Sequence, residues 1–437
     1  MHPVFRSLSC LILLLVLAAP ASANPFLTDS SLELRLRATG ENARTDSGYG
    51  PETSRNQSAG VFSLHYASGL FKNCIGVDAV AYHVIPFKYD KKNAANTYGK
   101  DETFFQEGKN GFGKVGVSVR ITPTDNLLLR YGRMESDHVL LGPGDYRTTP
   151  RMYELVSGQI SWEPVTLTLM HVMGGSDYSD DTFHKFGPYK GDWRDGIVDP
   201  QPVQIADLRF EKGPFGLKAA HGRQKEILEY TFLEGTWFHT FSDLWNIQTA
   251  GGYRLKNDTK PQHEDIDHTL GMVGGQVILT RKNTWVKFAI SDVEKNTDFF
   301  ESIDGTMGTD WALNGSTLAG CKDNGYYTTG VQGIFNHDGE TAQKIEIGHD
   351  ITAGLLSGLS ASAYYVEGRN LHDGSEYVDN LRQHEYGGRL AYAPPALPGL
   401  ALEIEHGSNT MKSDGEYGMD QKISNTQVNV TYTMTLF

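Results

Sequence analysis

The sequence predicts a transmembrane antiparallel β-barrel, and the two ends of the chain carry this prediction. The chain closes on Val428-Asn429-Val430-Thr431-Tyr432-Thr433-Met434-Thr435-Leu436-Phe437, in which apolar and polar residues alternate up to a terminal aromatic. Residues 32–37, Leu-Glu-Leu-Arg-Leu-Arg, alternate with the same period. Successive side chains of a strand point to opposite faces, so each segment has one apolar and one polar face. A barrel that pairs its first strand with its last needs such segments at both ends.

Residues 1–23 have the three parts of a secretory signal peptide. Arg6 supplies a positive charge, residues 8–19 form a short apolar run, and Ala21-Ser22-Ala23 is a small-residue cleavage site. We expect the mature chain, residues 24–437, to be a single transmembrane barrel domain. An N-terminal membrane anchor is the alternative, but the apolar run is short for a bilayer span.

Composition narrows the function classes. No later segment approaches 18 consecutive apolar residues, which excludes helical membrane spans. The 48 Gly, 21 Tyr and 20 Phe suit a β-rich protein with aromatic girdles, and a hydrophobic content of 39% suits a wet inner face. The net charge of −14 argues against nucleic-acid binding. Beyond the signal only Cys74 and Cys321 remain, too few for a disulfide framework, and whether they pair is open.

Alternating segments recur between the two ends. They cover residues 114–121, 127–131, 165–172, 205–210, 215–221, 269–280, 285–290, 343–347, 359–366, 388–392 and 400–406. Short polar turns such as 122–126 and 281–283 separate some of them, and long polar connections (88–111, 177–204, 257–267 and 296–323) separate others. Short turns on one side and long loops on the other are typical of outer-membrane barrels. The hairpin count predicts 16 or 18 strands, a size that leaves an aqueous channel. A secreted β-sandwich or β-solenoid is the soluble alternative.

Several short motifs resemble one family of such channels. They are Phe26-Leu27-Thr28-Asp29-Ser30-Ser31-Leu32 at the mature start, Gly76-Val77-Asp78-Ala79, Val119-Arg120-Ile121 followed by Arg130-Tyr131-Gly132-Arg133-Met134, then Arg147 and Pro150, Gly222-Arg223-Gln224-Lys225-Glu226, and the final Leu436-Phe437. In these patches the chain resembles the OprD-type outer-membrane porins, which include carboxylate channels and, more distantly, chitoporins. The patches are short but spread over nearly the whole mature chain.

The resemblance implies an 18-stranded barrel with a third extracellular loop folded into the lumen. It also implies a monomer, with a trimer as the alternative, a ladder of basic residues for small solutes, and no cofactor. An Arg on the lipid face costs about 2–4 kcal/mol at the membrane midplane, so the alternating Arg residues should face the lumen. The candidate lumen charges are Arg35, Arg37, Arg120, Arg209 and Arg389, with Glu403 and Glu405 as an acidic departure from the family pattern.

Residues 137–151 are the candidate constriction loop. Charges of both signs around the Pro143-Gly144 turn would create a transverse field that orients polar solutes. An ordinary extracellular loop is the alternative. The candidates for solute contact are Asp145, Tyr146, Arg147 and Arg151 in this loop, with Arg130 and Arg133 on the strand before it.

These observations predict a passive, partly selective porin for small hydrophilic solutes: amino acids, organic acids or short oligosaccharides. Its surroundings would be outer-membrane lipid and lipopolysaccharide in a Gram-negative cell, with assembly machinery engaging the C-terminal strand. A chitooligosaccharide channel is one alternative, and a barrel enzyme or an adhesin is a more distant one. No catalytic residue is assigned, and no metal site either, since His263 to His268 has the wrong spacing for a His-Glu-x-x-His motif.

Overall fold

A computed structural model describes residues 25–47, 53–88, 104, 111–142, 148–179, 181–186, 201–225, 227–258, 268–295, 311–313, 316–318, 327–331, 333, 335–371, 381–412 and 420–437. Eighteen long strands close into one antiparallel barrel, which confirms the predicted fold class. None of the described helices is long and apolar enough to cross a membrane. The predicted signal, residues 1–23, lies outside the described residues.

The elements follow one another in simple up-and-down order. They are α1 (Pro25–Thr28), β1 (Ser31–Ser47), β2 (Thr53–Ala67), β3 (Ile75–Lys88), β4 (Phe112–Thr124), β5 (Leu127–Glu135), β6 (Met152–Trp162), β7 (Val165–Ser176), β8 (His184–Lys185), β9 (Val203–Lys212), β10 (Phe215–Gln224), β11 (Leu228–Ser242), β12 (Trp245–Asp258), β13 (His268–Arg281), β14 (Thr284–Val293), β15 (Trp311–Leu313), β16 (Ser316–Leu318), β17 (Thr341–Ile351), β18 (Leu359–Leu371), β19 (Leu381–Tyr392), β20 (Leu400–Lys412) and β21 (Gln421–Thr435). The eighteen long strands that form the barrel wall are called staves, and the short strands β8, β15 and β16 are not among them.

The barrel closes between its first and last strands. β1 pairs antiparallel with β21, and the register sets Leu36 opposite Tyr432 and Arg37 opposite Thr431. Each neighbouring pair along the chain is antiparallel as well. Closure leaves no stave with an unpaired edge, which is what a strand in hydrocarbon requires because water is absent there. The two alternating chain ends therefore form the seam of the barrel.

Alternation gives the wall two faces of opposite character. Large apolar side chains are exposed on the outer face, among them Leu36, Val117 and Ile347, which are 43%, 50% and 54% exposed. Such exposure is unfavourable in water but favourable against lipid. Trp162, Phe215 and Trp245 lie on the outside beside the short turns. They fit the aromatic girdle expected at the membrane interface on the side of the short turns, the periplasmic side.

The apolar core lies inside the barrel. The largest buried cluster joins inward residues of the wall, such as Ile205, Phe232 and Met272, to Leu140 and Leu141 from the connection between β5 and β6. A barrel of this size would otherwise enclose a wide aqueous channel. Segments of the chain that fold inward therefore reduce the open cross-sectional area of the lumen.

Candidate functional site: a charged and narrowed lumen

The described parts of the third loop between β5 and β6, residues 136–142 and 148–151, lie in the lumen. Leu140 and Leu141 are fully buried and pack in the cluster that contains Ile205 and Phe232. Tyr153 donates a hydrogen bond from its hydroxyl to the carbonyl oxygen of Leu141. An exposed loop would not bury two leucines, so apolar packing on the inner wall holds this segment inside.

A buried histidine fixes the start of the third loop to strand β9 of the wall. The backbone N–H of Leu140 donates to Nδ1 of His138 at 3.2 Å, so Nδ1 is the acceptor nitrogen and the ring proton is on Nε2. That Nε2 lies 3.2 Å from Oδ2 of Asp207, and both side chains are almost completely buried. Asp207 also accepts from Nε of Arg209 at 2.9 Å. The carboxylate of Asp207 therefore joins the loop to a lumen cation.

The end of the third loop is held by a second set of contacts. Arg151 is 2% exposed in its side chain, and its Nε donates to Oδ1 of Asp177 at 2.8 Å. Nζ of Lys114 donates to the carbonyl oxygens of Pro150 and Asp177, at 2.9 and 2.7 Å. Thr149 donates to the carbonyl oxygen of Tyr178 at 2.8 Å. Arg151, a sequence candidate for solute contact, is thus a buried anchor between two connections of the barrel.

The other constriction candidates take different positions. Arg133 pairs with Glu154 at 3.1 Å, and its guanidinium lies 4.2 Å from the centre of the Phe183 ring. Arg130 is exposed and lies on the inward register of β5, opposite Arg120 of β4 and Ser157 of β6. Asp145, Tyr146 and Arg147 lie outside the described residues, as do Cys321 and residues 263–267.

A second inward segment, which comprises the described residues 327–331, 333 and 335–340 before β17, was not predicted from the sequence. Tyr327 donates from its hydroxyl to Oε2 of Glu234 at 2.6 Å, and Lys344 donates to the carbonyl oxygen of Thr329 at 2.9 Å. Gly333 donates its N–H to Oε2 of Glu385 at 2.6 Å. Glu234, Lys344 and Glu385 are all inward residues of staves, so the segment lies across the inner wall.

The chemistry of Tyr327 keeps this second inward segment attached. Burial, followed by the hydrogen bond and negative charge of Glu234, raises the pKa of the Tyr327 hydroxyl above its usual range. The hydroxyl therefore stays protonated at physiological pH and remains a donor. The side chain of Tyr327 lies against Gly252 and Gly274, where an added Cβ would come within 3.3 Å of its hydroxyl oxygen and 3.2 Å of its ring, respectively. Small residues on two neighbouring staves thus make room for the aromatic ring.

Inward charges are distributed unevenly around the wall. The inward register carries Arg120 on β4, Arg130 on β5, Arg209 on β9, Lys218 on β10 and Lys287 on β14, and Arg35 and Arg37 on β1. Several of these cations bind neighbouring groups and stabilise the local structure. Arg120 pairs with Asp78 at 2.9 Å and donates to the carbonyl oxygen of Ser68 at 2.7 Å, which fastens the turn after β2.

The acidic pair near the C-terminus shares one cation. Nε of Arg389 lies 2.5 Å from a carboxylate oxygen of Glu403 and 3.3 Å from one of Glu405. The register places Arg389 directly opposite Glu405 on β20. Two carboxylates therefore compensate one guanidinium, and this part of the wall is only slightly acidic.

These charges stand across the lumen from one another. β9, which carries Arg209, is the eighth stave, and β20, which carries Glu403 and Glu405, is the seventeenth. They are nine positions apart in a ring of eighteen strands, so they lie on opposite walls. Because Arg389 compensates most of the charge of Glu403 and Glu405, and Asp207 that of Arg209, only a weak transverse field remains between these two walls.

A chamber of about 630 Å³ lies beside the basic side of the lumen. Arg130 and Arg209 line it, and the start of the third loop, including Asp137 and His138, forms one boundary. Hydroxyl and amide side chains also line it, namely Ser157, Gln159, Ser161, Thr166 and Thr168, together with the carboxylates Glu135, Glu163 and Glu211. The chamber therefore combines two guanidinium groups with carboxylates and neutral hydrogen-bonding groups. In the described part of the chain, no three His, Cys, Asp or Glu side chains are placed to hold a metal ion.

The sequence candidates left out several lumen residues that the structure places in this region. Asp207, Lys218, Glu234, Lys344 and Glu385 all lie on inward registers. Asp207 and Lys218 could have been found from the alternation of β9 and β10, since Asp207 shares a face with Arg209 and Lys218 shares a face with Gly216. Glu385 could not be found this way, because its role depends on the second inward segment.

A closed barrel with an apolar outer face, a charged lumen and inward-folded loops defines the class of outer-membrane channel proteins. The match to a family model then specifies the family: the model for outer membrane porins of the OprD family matches residues 24–436, and the chain belongs to that family. It is accordingly an outer-membrane channel for small solutes, in a family of porins rather than of enzymes. Among curated proteins, none matched the chain.

Solved structures share the fold at low sequence identity. OccK9 (OpdG) of Pseudomonas aeruginosa superposes with a TM-score of 0.77 at 15% identity, covering 94% of this chain and 100% of that one. The BenF-like porin of Pseudomonas fluorescens Pf-5 gives 0.76 at 14%, with coverages of 94% and 100%. OpdK of P. aeruginosa, in a crystal structure with vanillate, gives 0.74 at 17%, with the same coverages. At these identities the likeness shows the fold alone.

Proposed function

We propose that the protein is a passive channel for small carboxylate-bearing solutes, with organic acids and amino acids as its substrates. The chamber beside Arg130 and Arg209 carries this proposal. A guanidinium matches a carboxylate in geometry and charge, and it can donate two parallel hydrogen bonds. The hydroxyl and amide groups of the same wall would bind the remaining polar atoms of the solute.

The acidic residues near the C-terminus do not oppose this proposal. Read from the sequence alone, Glu403 and Glu405 make the lumen acidic where carboxylate channels tend to be basic. In the structure both carboxylates contact Arg389, so most of their field is compensated locally. A passing anion would therefore meet little uncompensated negative charge at this part of the wall. The vanillate in the OpdK crystal is itself a carboxylate, which supports the same substrate class for a chain of the same fold.

Single-channel recording on a panel of solutes tests the proposal. Benzoate, a neutral amino acid and a chitooligosaccharide are added in turn to one side of a bilayer that contains the protein. We expect the carboxylates to block the current in a concentration-dependent way. Arg130→Gln should weaken this block about two- to fivefold, the range typical of one exposed charge pair. The block should also weaken at high salt, which screens exposed charges.

Arg223→Gln is the matched control. Arg223 is also an exposed arginine of a stave, but it lies on the outer face and pairs with Glu229 at 2.8 Å. Its replacement should leave the block unchanged. A channel that is blocked by the chitooligosaccharide and not by the carboxylates would contradict the proposed substrate class, and equal block in Arg130→Gln and the parent would remove Arg130 from the binding site.

We propose further that residues 1–23 are cleaved as a signal peptide, that assembly machinery engages β21, and that the barrel works as a monomer. The start of the family match at residue 24 supports the first proposal. N-terminal sequencing of protein purified from outer membranes would test it, with Asn24 as the expected first residue.

A further inference from the structure

A tryptophan faces the lumen near the periplasmic mouth of the channel. Trp285 is the second residue of β14 and follows the short turn 281–283. The register sets it between Thr280 of β13 and Gly348 of β17. Phe288 of the same strand lies on the outer face, where it is 49% exposed. Trp285 is an odd number of positions away from Phe288 and therefore points inward.

The indole ring of Trp285 lies flat against the wall at Gly348. A Cβ added to Gly348 would lie 2.2 Å from Cζ2, 2.3 Å from Cε2 and 2.8 Å from Nε1 of the indole. In the plane of the ring, such a Cβ would be closer to Nε1 than to Cζ2, so it has to stand above the face of the ring. One face of the indole therefore packs on the backbone of β17, and only a glycine leaves room for it.

The other face of the indole carries no comparable contact. In the described part of the chain, no aromatic ring stacks on Trp285, no cation lies over it, and its N–H has no hydrogen-bond partner. The side chain is partly exposed. Stacked aromatic pairs gain affinity beyond the apolar area that they bury. A ring that is fixed on one side and exposed on the other is therefore a stacking surface for a flat solute.

Lys287 lies on the same inward face of β14, two positions from Trp285, and the register sets it opposite Glu346 of β17. That glutamate is bound by two other groups: Oε2 lies 3.2 Å from Nζ of Lys344, and Oε1 accepts from the hydroxyl of Ser362 at 3.1 Å. Among the residues that the structure describes, Lys287 has neither a hydrogen bond nor an ion pair. Its ammonium group can therefore bind an anion in the lumen.

Trp285 stands on the periplasmic side of the second inward segment. Lys344 donates to the carbonyl oxygen of Thr329 in that segment, and the register sets Lys344 opposite Ala289. Ala289 is four positions further from the periplasmic turn than Trp285. A solute that enters from outside therefore passes the second inward segment before it reaches the indole.

Charges of opposite sign flank the indole along the wall. Lys287 is about 6.6 Å from Trp285 along the strand, on the side of the second inward segment. Asp350 is two positions beyond Gly348 on β17, on the side of the periplasmic mouth. An ammonium group attracts a carboxylate, and a second carboxylate repels it. An aromatic acid would therefore lie with its ring on Trp285 and its carboxylate toward Lys287.

We propose that Trp285 and Lys287 form a second subsite of the channel, which binds the ring and the carboxylate of an aromatic acid. The subsite rests on the proposed carboxylate channel and adds selection for a flat ring. The chamber beside Arg130 and Arg209 would select the carboxylate, and the subsite near the periplasmic mouth would hold aromatic acids longer than aliphatic acids of similar size. Trp285 is then a specificity-determining residue.

Single-channel recording with benzoate and cyclohexanecarboxylate tests the proposal on the full-length mature protein. The two anions have the same charge and similar size, and only benzoate has a flat aromatic ring. The parent should hold benzoate longer. Trp285→Leu should shorten the benzoate blocking events about 2- to 10-fold, the range of one aromatic pair, and leave those of cyclohexanecarboxylate unchanged. Trp285→Phe should keep most of the preference, and Lys287→Gln should shorten the events of both anions about two- to fivefold.

Gly348→Ala tests the geometry of the stacking surface, because the added methyl group would displace the indole from the wall. It should reduce the preference for benzoate as Trp285→Leu does. Trp245→Leu is the matched control, since this tryptophan lies at the same end of the barrel on the outer face, and the block should not change. The ion conductance of each variant without either anion verifies that the barrel has folded.

The possible outcomes separate the subsite from the carboxylate channel. Equal blocking times of benzoate and cyclohexanecarboxylate in the parent, or an unchanged benzoate preference in Trp285→Leu, would overturn the subsite and leave the carboxylate channel intact. An equal loss in Trp245→Leu would overturn it as well. If neither anion blocks the parent channel, the proposed carboxylate channel is wrong and the subsite with it.

Discussion

At the scale of single residues, pairing decides how each lumen charge acts. Arg209 shares Asp207 with His138, Arg120 is bound to Asp78, and the guanidinium of Arg389 lies between two glutamates. Arg130 differs from these, because it is exposed and lines the chamber. The solute therefore meets a smaller set of effective charges than a count of inward residues suggests.

Removing the acidic pair should expose the charge of Arg389. In the double variant Glu403→Gln and Glu405→Gln, the guanidinium keeps its position on β19 but loses both compensating carboxylates. We expect the reversal potential under a salt gradient to shift toward anion selectivity. Arg389→Gln should shift it in the opposite direction, because two carboxylates then remain without their cation.

The control for this prediction is a carboxylate outside the lumen. Asp292 of β14 accepts a hydrogen bond from the outer Thr341 at 2.5 Å, and Asp292→Asn should leave the reversal potential unchanged. If the double variant behaves like this control, Glu403 and Glu405 do not contact the ion pathway.

Sequence patterns predict some of these residues and not others, for a physical reason. Alternation with Leu129 and Tyr131 is enough to place Arg130 on the opposite face of its strand, and the same holds for Arg209 and Arg389. Arg151 could not be treated this way, since it precedes β6 and its partner Asp177 comes from a different connection. Contacts between loops depend on the path of the loops through the lumen. The local alternation of apolar and polar residues carries no information about that path.

At the scale of elements, the third loop is the feature that should control conductance. Deleting residues 140–149 removes Leu140 and Leu141 from their cluster and removes the Thr149 contact with Tyr178. We expect a wider lumen and a higher single-channel conductance. A β-rich circular dichroism spectrum would verify that the shortened chain still forms a barrel. Conductance equal to that of the parent, in folded protein, would mean that the loop does not limit ion flow.

The second inward segment shows what alternation cannot predict. Residues 327–340 carry no strand or helix period, and their connection reads as an ordinary polar loop. One signal was present: Gly330 and Gly333 stand close together, and an added Cβ would lie 2.5 Å from a carboxylate oxygen of Glu385 at Gly330 and 3.1 Å from the other at Gly333. Paired glycines can indicate close backbone approach, but the surface they approach emerges only from the folded barrel.

At the scale of the whole molecule, one period organises the barrel from β1 to β21. Because the side-chain period is two, a slip of one residue in any stave would exchange its lipid and lumen faces. The alternation of the two terminal segments was sufficient to predict closure, and the pairing of β1 with β21 confirms it. The lumen is less predictable than the wall, since the third loop and the second inward segment fold into it and redistribute its charges.

Neighbouring residues at the middle of β21 provide a direct test of the two faces. Val428 is 41% exposed on the outer face, and it lies midway between the ends of the strand. Gln427 points inward, opposite Glu405 of β20 and Glu41 of β1. Val428→Arg should lower the free energy of unfolding from lipid vesicles by about 2–4 kcal/mol, the cost of an arginine against lipid at the midplane.

Gln427→Arg, one position away, should cost little, because the new cation would enter an aqueous lumen between two carboxylates. Urea-induced unfolding of both variants in the same vesicles measures the difference, and the parent protein gives the reference. Equal destabilisation by the two substitutions would contradict the face assignment of the terminal stave. A larger loss from Gln427→Arg would mean that the register of β21 is shifted by one residue. Because β21 closes the barrel against β1, Arg35 and Arg37 would then have to face the lipid and not the lumen.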